Sequence, residues 1–143
     1  MQVDKELIES KIDVIEKNLE FLKEYKNIDI KDFINNYKDI QAVKYSLFEI
    51  IECCIDIASH IISSMGFERA ESYADMFEIL GKNNITNSKL TKKLSDMARF
   101  RNLLVHSYAK VDNSKILEFV KKESNDIKMF IKEVLEYFTH QAE

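Results

Sequence analysis

Apolar residues recur along this chain at steps of three and four, and they group into five amphipathic segments separated by short polar breaks. In the first, roughly residues 3–26, Val3, Leu7, Ile8, Ile12, Ile15, Leu19 and Leu22 form one stripe with Lys and Glu opposite, as in a helix lying on a core. The polar Asn27 to Asp29 breaks it, and Asp29 is placed to cap the next helix, with Asp32 three residues on. The second and longest segment, about 30–65, carries Ile40, Val43, Leu47, Ile50, Ile51, Cys54, Ile57, Ala58, Ile61, Ile62 and Met65. From "LFEIIECCIDIASHII" it is apolar around much of its circumference, which predicts a central helix or one at an oligomer interface. Gly66 suits the left-handed position just past its end.

The third segment is short, with Ser72 as cap and "YADMFEIL" closed by Gly81. The fourth follows "KNNITNS" and brings Leu90, Leu94 and Met97 onto one face. The fifth starts after Asp112, a natural N-cap, and its stripe is Ile116, Val120, Ile127, Ile131, Val134 and Phe138. Short links between long amphipathic helices predict an antiparallel helical bundle of about five helices, with residues 1–143 forming a single domain.

Composition strengthens the all-α reading. The chain has no proline and two glycines, too few to turn a sandwich or barrel every few residues. At 143 residues it buries roughly 68–70% of its unfolded surface, enough for a core without a metal or disulfide staple. The net charge of −4 excludes a protein that coats nucleic acid through bulk positive charge, but leaves room for a local basic cleft. Adjacent Cys53 and Cys54 are poor disulfide partners on a helix and read as small core residues of a cytoplasmic protein. The charged start "MQVDKELIES" resembles no secretory signal. No apolar run reaches the ~20 residues of a membrane span, so no membrane partner is expected.

The densest polar cluster sits in "RFRNLLVHSYAKVD", residues 99–112. Extending the stripe of Leu90, Leu94 and Met97 reaches Arg101, Leu104 and Tyr108, so Arg101 falls where burial is predicted. A buried guanidinium without partners costs several kcal/mol, so either something pairs with it or it snorkels at the stripe's edge. His106 lies five residues on, roughly 140° around a straight helix from Arg101. The helix therefore ends or kinks between them, or each position faces a different chain in a shared site. Asn102 and His106 are i and i+4 and can face each other, fixing the imidazole. Histidine serves as acid or base near neutral pH, and arginine grips phosphate and stabilises charge on a phosphorane-like transition state. Together they suit transesterification of RNA by its own 2′-hydroxyl, with no metal or cofactor. Lys92, Lys93 and Arg99 are a solvated face or a local phosphate track.

Other clusters carry blander readings. Glu52, Asp56 and His60 form an i, i+4, i+8 row, either a polar seam bonding to a neighbouring helix, with Asp56 and His60 lining a cleft, or a metal site; the seam is the better reading. His140 falls in a solvated tail. The aromatic residues Phe21, Phe48, Phe77, Phe130 and Phe138 read as packing rather than a stacking platform.

"RNLLVHSY", Arg101 to Tyr108, is Arg-x4-His-x-Tyr with Asn after the arginine, and it resembles the signature of the HEPN superfamily, specifically its HepT-like toxins. "IIECCIDIASHIISSMG", "SYADMFEILGKNNI" and "LSDMARFRNLLVHSYAKVD" resemble that family's second, third and fourth elements, so the likeness spans roughly residues 40–135. It implies an all-α HEPN-like homodimer in which the motifs of two protomers meet in a cleft. It implies a metal-independent endoribonuclease acting on RNA such as mRNA or tRNA. Carried over, Arg101 holds phosphate, His106 is the acid/base and Asn102 orients it. Tyr108 matches the tyrosine that a minimal nucleotidyltransferase antitoxin modifies with AMP, which would block RNA entry and place negative charge where the substrate phosphate belongs. The alternative is a non-catalytic nucleotide-binding or adaptor subunit paired with such a nucleotidyltransferase; a purely structural bundle leaves a buried Arg101 without a purpose.

Overall fold

The long, broadly apolar segment becomes the axis of the fold. The computed structural model describes residues 2–106 and 112–141, the side chains of residues 106, 140 and 141 excepted. Among them are six α-helices and no strand: α1 (Lys5–Leu22), α2 (Ile30–Ile34), α3 (Tyr37–Met65), α4 (Tyr73–Lys82), α5 (Ser88–His106) and α6 (Asn113–Gln141), with a 3-10 turn over Lys23–Tyr25. Helix α3 packs against each of the other five. Its buried positions from Ile40 to Ile62 face several directions at once, which is why its pattern is apolar around so much of its circumference.

The neighbours run antiparallel. Asp4, Lys11 and Asn18 of the first helix and its cap meet His60, Asp56 and Glu49 in turn. Likewise Asn87, Lys93 and Phe100 meet Glu133, Asp126 and Phe119 between α5 and α6. Five side chains of α1, namely Ile8, Ile12, Ile15, Leu19 and Leu22, are buried. Each is worth about 1.5–3 kcal/mol over leaving it in water. Phe77 of α4 and Phe130 of α6 meet edge to face at 5.8 Å, both fully buried. No described helix is long and apolar enough to cross a membrane.

The caps read from sequence at Asp29, Ser72 and Asp112 each accept a backbone N–H of the first turn. Gly66 sits at φ 68° past α3, with Phe67 N–H donating to the Ile62 carbonyl. Two boundaries differ from expectation. The helix expected over 30–65 is two helices, because Asn35 and Asn36 intervene and the Asn36 side chain accepts the Asp39 N–H to start α3 afresh. Asparagine competes for backbone groups and favours such ends over helix interiors. The break lets Phe33 on α2 turn fully into the core, against Tyr25.

The second difference concerns Gly81, expected to close the short helix. It lies inside α4, and Asn84 takes the left-handed conformation instead, at φ 63°. Ile85 N–H then donates to the Leu80 carbonyl and Asn84 N–H to that of Gly81, completing a Schellman end. Gly81 is needed for closeness: a Cβ there would lie 2.5 Å from Thr91 Oγ1 and 2.8 Å from Thr91 Cγ2 of α5. Thr91 cannot swing aside cheaply, since its hydroxyl is bonded to Thr86 Oγ1 and to the Asn87 carbonyl, each at 2.7 Å.

Gly81→Ala therefore destabilises the protein by about 1–3 kcal/mol of overpacking, against a gain of about 1 kcal/mol in helix propensity. A lowered urea midpoint is expected; a midpoint above wild type would show that α4 and α5 are not in this close contact.

Candidate functional site

Arg101 is carried on α5 to a point facing the middle of α3, and its side chain is only 16% exposed. The burial predicted by the stripe is real, and the partner it demands is Glu52: Arg101 Nε donates to Glu52 Oε1. The guanidinium carbon lies 4.9 Å from the Tyr73 ring centre and 5.5 Å from that of Phe48, so two aromatic rings and one carboxylate define its position. Among the described residues Glu52 is its one hydrogen-bonding partner. That uses one of the five N–H groups of the guanidinium and leaves the two terminal nitrogens for an anion.

Helix α5 continues unbroken through His106. This removes the alternative in which the helix ends between the two positions, and five residues of helix set them roughly 140° apart around it. The His106 side chain and the whole of Tyr108 lie outside the described residues. Asn102 is exposed, and with Tyr73 and Arg99 it lines a cleft of about 530 Å3 between α4 and α5.

The row Glu52, Asp56, His60 divides between two neighbours. Glu52 serves Arg101, whereas the other two are turned to α1 rather than lining the cleft beside it. Asp56 pairs with Lys11 Nζ at 2.9 Å, and that hydrogen bond raises the Lys11 pKa above the ordinary lysine value. His60 Nε2 accepts the Asp4 backbone N–H at 2.8 Å. This is the polar seam of helix-to-helix bonds, and among the described residues no group of His, Cys, Asp and Glu is arranged to hold a metal. Burial pushes the thiols of Cys53 and Cys54 up, keeping both protonated in the core.

The basic flank divides too. Lys93 is drawn toward α6, 3.5 Å from Asp126 and 3.9 Å from Glu123. Lys92, Arg99 and Lys82 instead line a second, outer groove along α4 and α5. Sequence reasoning missed the roles of Glu52, Phe48 and Tyr73. A buried arginine demanded an acid, but nothing in the sequence chose Glu52 over Glu49 or Asp56.

Comparison with known proteins places this geometry. Residues 15–134 match the family described as ribonuclease HepT-like. The chain belongs to that family. An mRNA nuclease HepT of Shewanella oneidensis is 31% identical over 90 residues, 63% of this chain and 68% of that protein. A tRNA nuclease HepT of Aphanizomenon flos-aquae is 24% identical over 131 residues, 92% of this chain and 89% of that one. Among solved structures, a tri-AMPylated Shewanella oneidensis HEPN toxin in complex with MNT antitoxin matches with a TM-score of 0.83 at 26% identity. That match covers 91% of this chain and 97% of the toxin. The all-α HEPN-like architecture and the endoribonuclease class expected from the sequence both stand with this HepT-like membership.

Glu52→Ala strands the Arg101 charge in a site only partly open to water. A loss of about 1–3 kcal/mol in urea unfolding is expected, between the values for exposed and buried pairs. Adding Arg101→Met to that variant recovers most of the loss; a double variant less stable than Glu52→Ala alone contradicts the pairing.

Proposed function

We propose that this HepT-like chain is a homodimeric ribonuclease toxin, a metal-independent endoribonuclease that cleaves mRNA or tRNA at a site built from two protomers. The observation that carries this is the unbroken helix α5, which holds Arg101 by Glu52 and two rings while keeping position 106 well around the helix. One continuous helix presents the two groups to different places, and a second copy related by a two-fold axis supplies the missing half.

In the proposed reaction the 2′-hydroxyl of the substrate attacks the adjacent phosphorus. The new bond is 2′-O–P and the bond broken is P–O5′. His106 takes the hydroxyl proton as base, and the imidazolium so formed gives a proton to the departing 5′ oxygen as acid. Arg101 binds the phosphate and stabilises the charge that builds on its oxygens. Asn102, one turn before His106, orients the ring. The products are a 2′,3′-cyclic phosphate and a free 5′-hydroxyl.

The partner is a minimal nucleotidyltransferase antitoxin, which silences the enzyme by transferring AMP to Tyr108. The support is the complex of the S. oneidensis HEPN toxin, tri-AMPylated and bound to MNT antitoxin, together with the Tyr two residues after His106 here. An adenylate there adds negative charge and bulk to the motif and would block RNA entry.

Wild-type protein made without its antitoxin is expected to cleave RNA in EDTA and leave 2′,3′-cyclic ends, with Arg101→Ala and His106→Ala each losing at least about a hundredfold, the scale of acid–base catalysis. Folded, unmodified protein that leaves mRNA and tRNA intact yet binds ATP or AMP stoichiometrically would assign the adaptor role instead. Co-expression with the nucleotidyltransferase should add AMP-sized mass increments that vanish in Tyr108→Phe; increments that persist there place the modification elsewhere.

A further inference from the structure

The cleft of about 530 Å3 beside Arg101 has no task in the proton transfers just described. Part of its lining is small and apolar: Ala98 is 1% exposed, and Ala70 and Ala74 are half-buried against the core. One wall is Tyr73, a residue 40% exposed although its ring centre lies 4.9 Å from the Arg101 guanidinium carbon. Exposed Glu71, Ser72, Arg99 and Asn102, with Met76, complete the lining.

We propose that this cleft holds the base of a single-stranded RNA nucleotide flanking the scissile phosphate. The proposal rests on the RNA-cleaving reading and adds to it where the neighbouring nucleotide goes. The volume falls in the range of pockets for small organic ligands. Alanines give a flat apolar surface, and Tyr73 gives an aromatic face, the combination on which unpaired bases stack regardless of sequence. The Asn102 amide offers a donor and an acceptor to a base edge. Tyr73 touches both the cleft and Arg101, so a base stacked there leaves its phosphate next to the guanidinium. A base locked in a duplex cannot enter, so the substrate is a single strand or a loop.

The test uses unmodified full-length protein and a 2′-O-methyl oligouridine carrying one 5-iodouridine, which has no free 2′-hydroxyl and survives incubation. Irradiation followed by peptide mapping should place the crosslink on the peptide containing Tyr73 and Met76. Ala70→Trp, which fills the cleft, should weaken binding by roughly five- to a hundredfold, the loss of one stacked base. Crosslinks confined to other helices, no binding by wild type, or unchanged affinity in a folded Ala70→Trp protein would overturn the proposal. If that variant does not fold, the crosslink position decides alone. RNA cleavage with crosslinks elsewhere sinks the base cleft and leaves the nuclease. A crosslink at Tyr73 without cleavage of any RNA leaves the cleft and sinks the nuclease.

Discussion

A single charge pair between two helices organises what this chain can do. Arg101 of α5 is drawn out of water, and removing a guanidinium from solvent is unfavourable by several kcal/mol unless it is paired. Glu52 of α3 answers that charge, and Phe48 and Tyr73 close on the guanidinium from α3 and α4. Three helices are thereby brought to one point. The arginine is held in place before any ligand arrives, which is what a phosphate-gripping group needs if it is to lose little freedom on binding.

The rest of the bundle makes that point possible. Helix α3 is central because it is apolar on so many sides, and its few polar residues fall where neighbours can satisfy them. Glu52 looks to α5, while Asp56 and His60 look to α1 and its cap. Gly81 lets α4 lie close against α5, and Tyr73 stands at the other end of that same helix, beside Arg101. A small contact near one end of the helix pair thus bears on the aromatic wall at the other. In the proposed two-copy site, the continuity of α5 matters as much as its residues, since it keeps one chain from completing the site by itself.

Much of this was legible in the amino-acid order. The helical periodicity, the caps at Asp29, Ser72 and Asp112, the left-handed Gly66 and the burial of Arg101 are local or one-dimensional signals, and they carried through. The break at Asn35 and Asn36 was hidden because the apolar pattern alone continues across it, and only the need to bury Phe33 turns the chain there. Gly81 was misassigned because a glycine ending a helix and a glycine admitting a neighbour look alike in sequence. Which acid meets Arg101, and that Tyr73 flanks it, depend on how α3, α4 and α5 rotate against one another, and no spacing encodes that. The Arg-x4-His-x-Tyr pattern named the residues; the structure describes Arg101 and Asn102 in full, with His106 by its backbone alone.

Sharing of one site by two chains is the claim most open to direct measurement. Differently tagged Arg101→Ala and His106→Ala protomers, each inactive as a homodimer, are co-expressed and the mixed dimer is purified. If each site draws its arginine and histidine from different chains, one of the two sites regains both, and RNA cleavage returns to about half the wild-type rate. A mixed dimer as inactive as its parents, beside an active wild type, would show that each chain works alone.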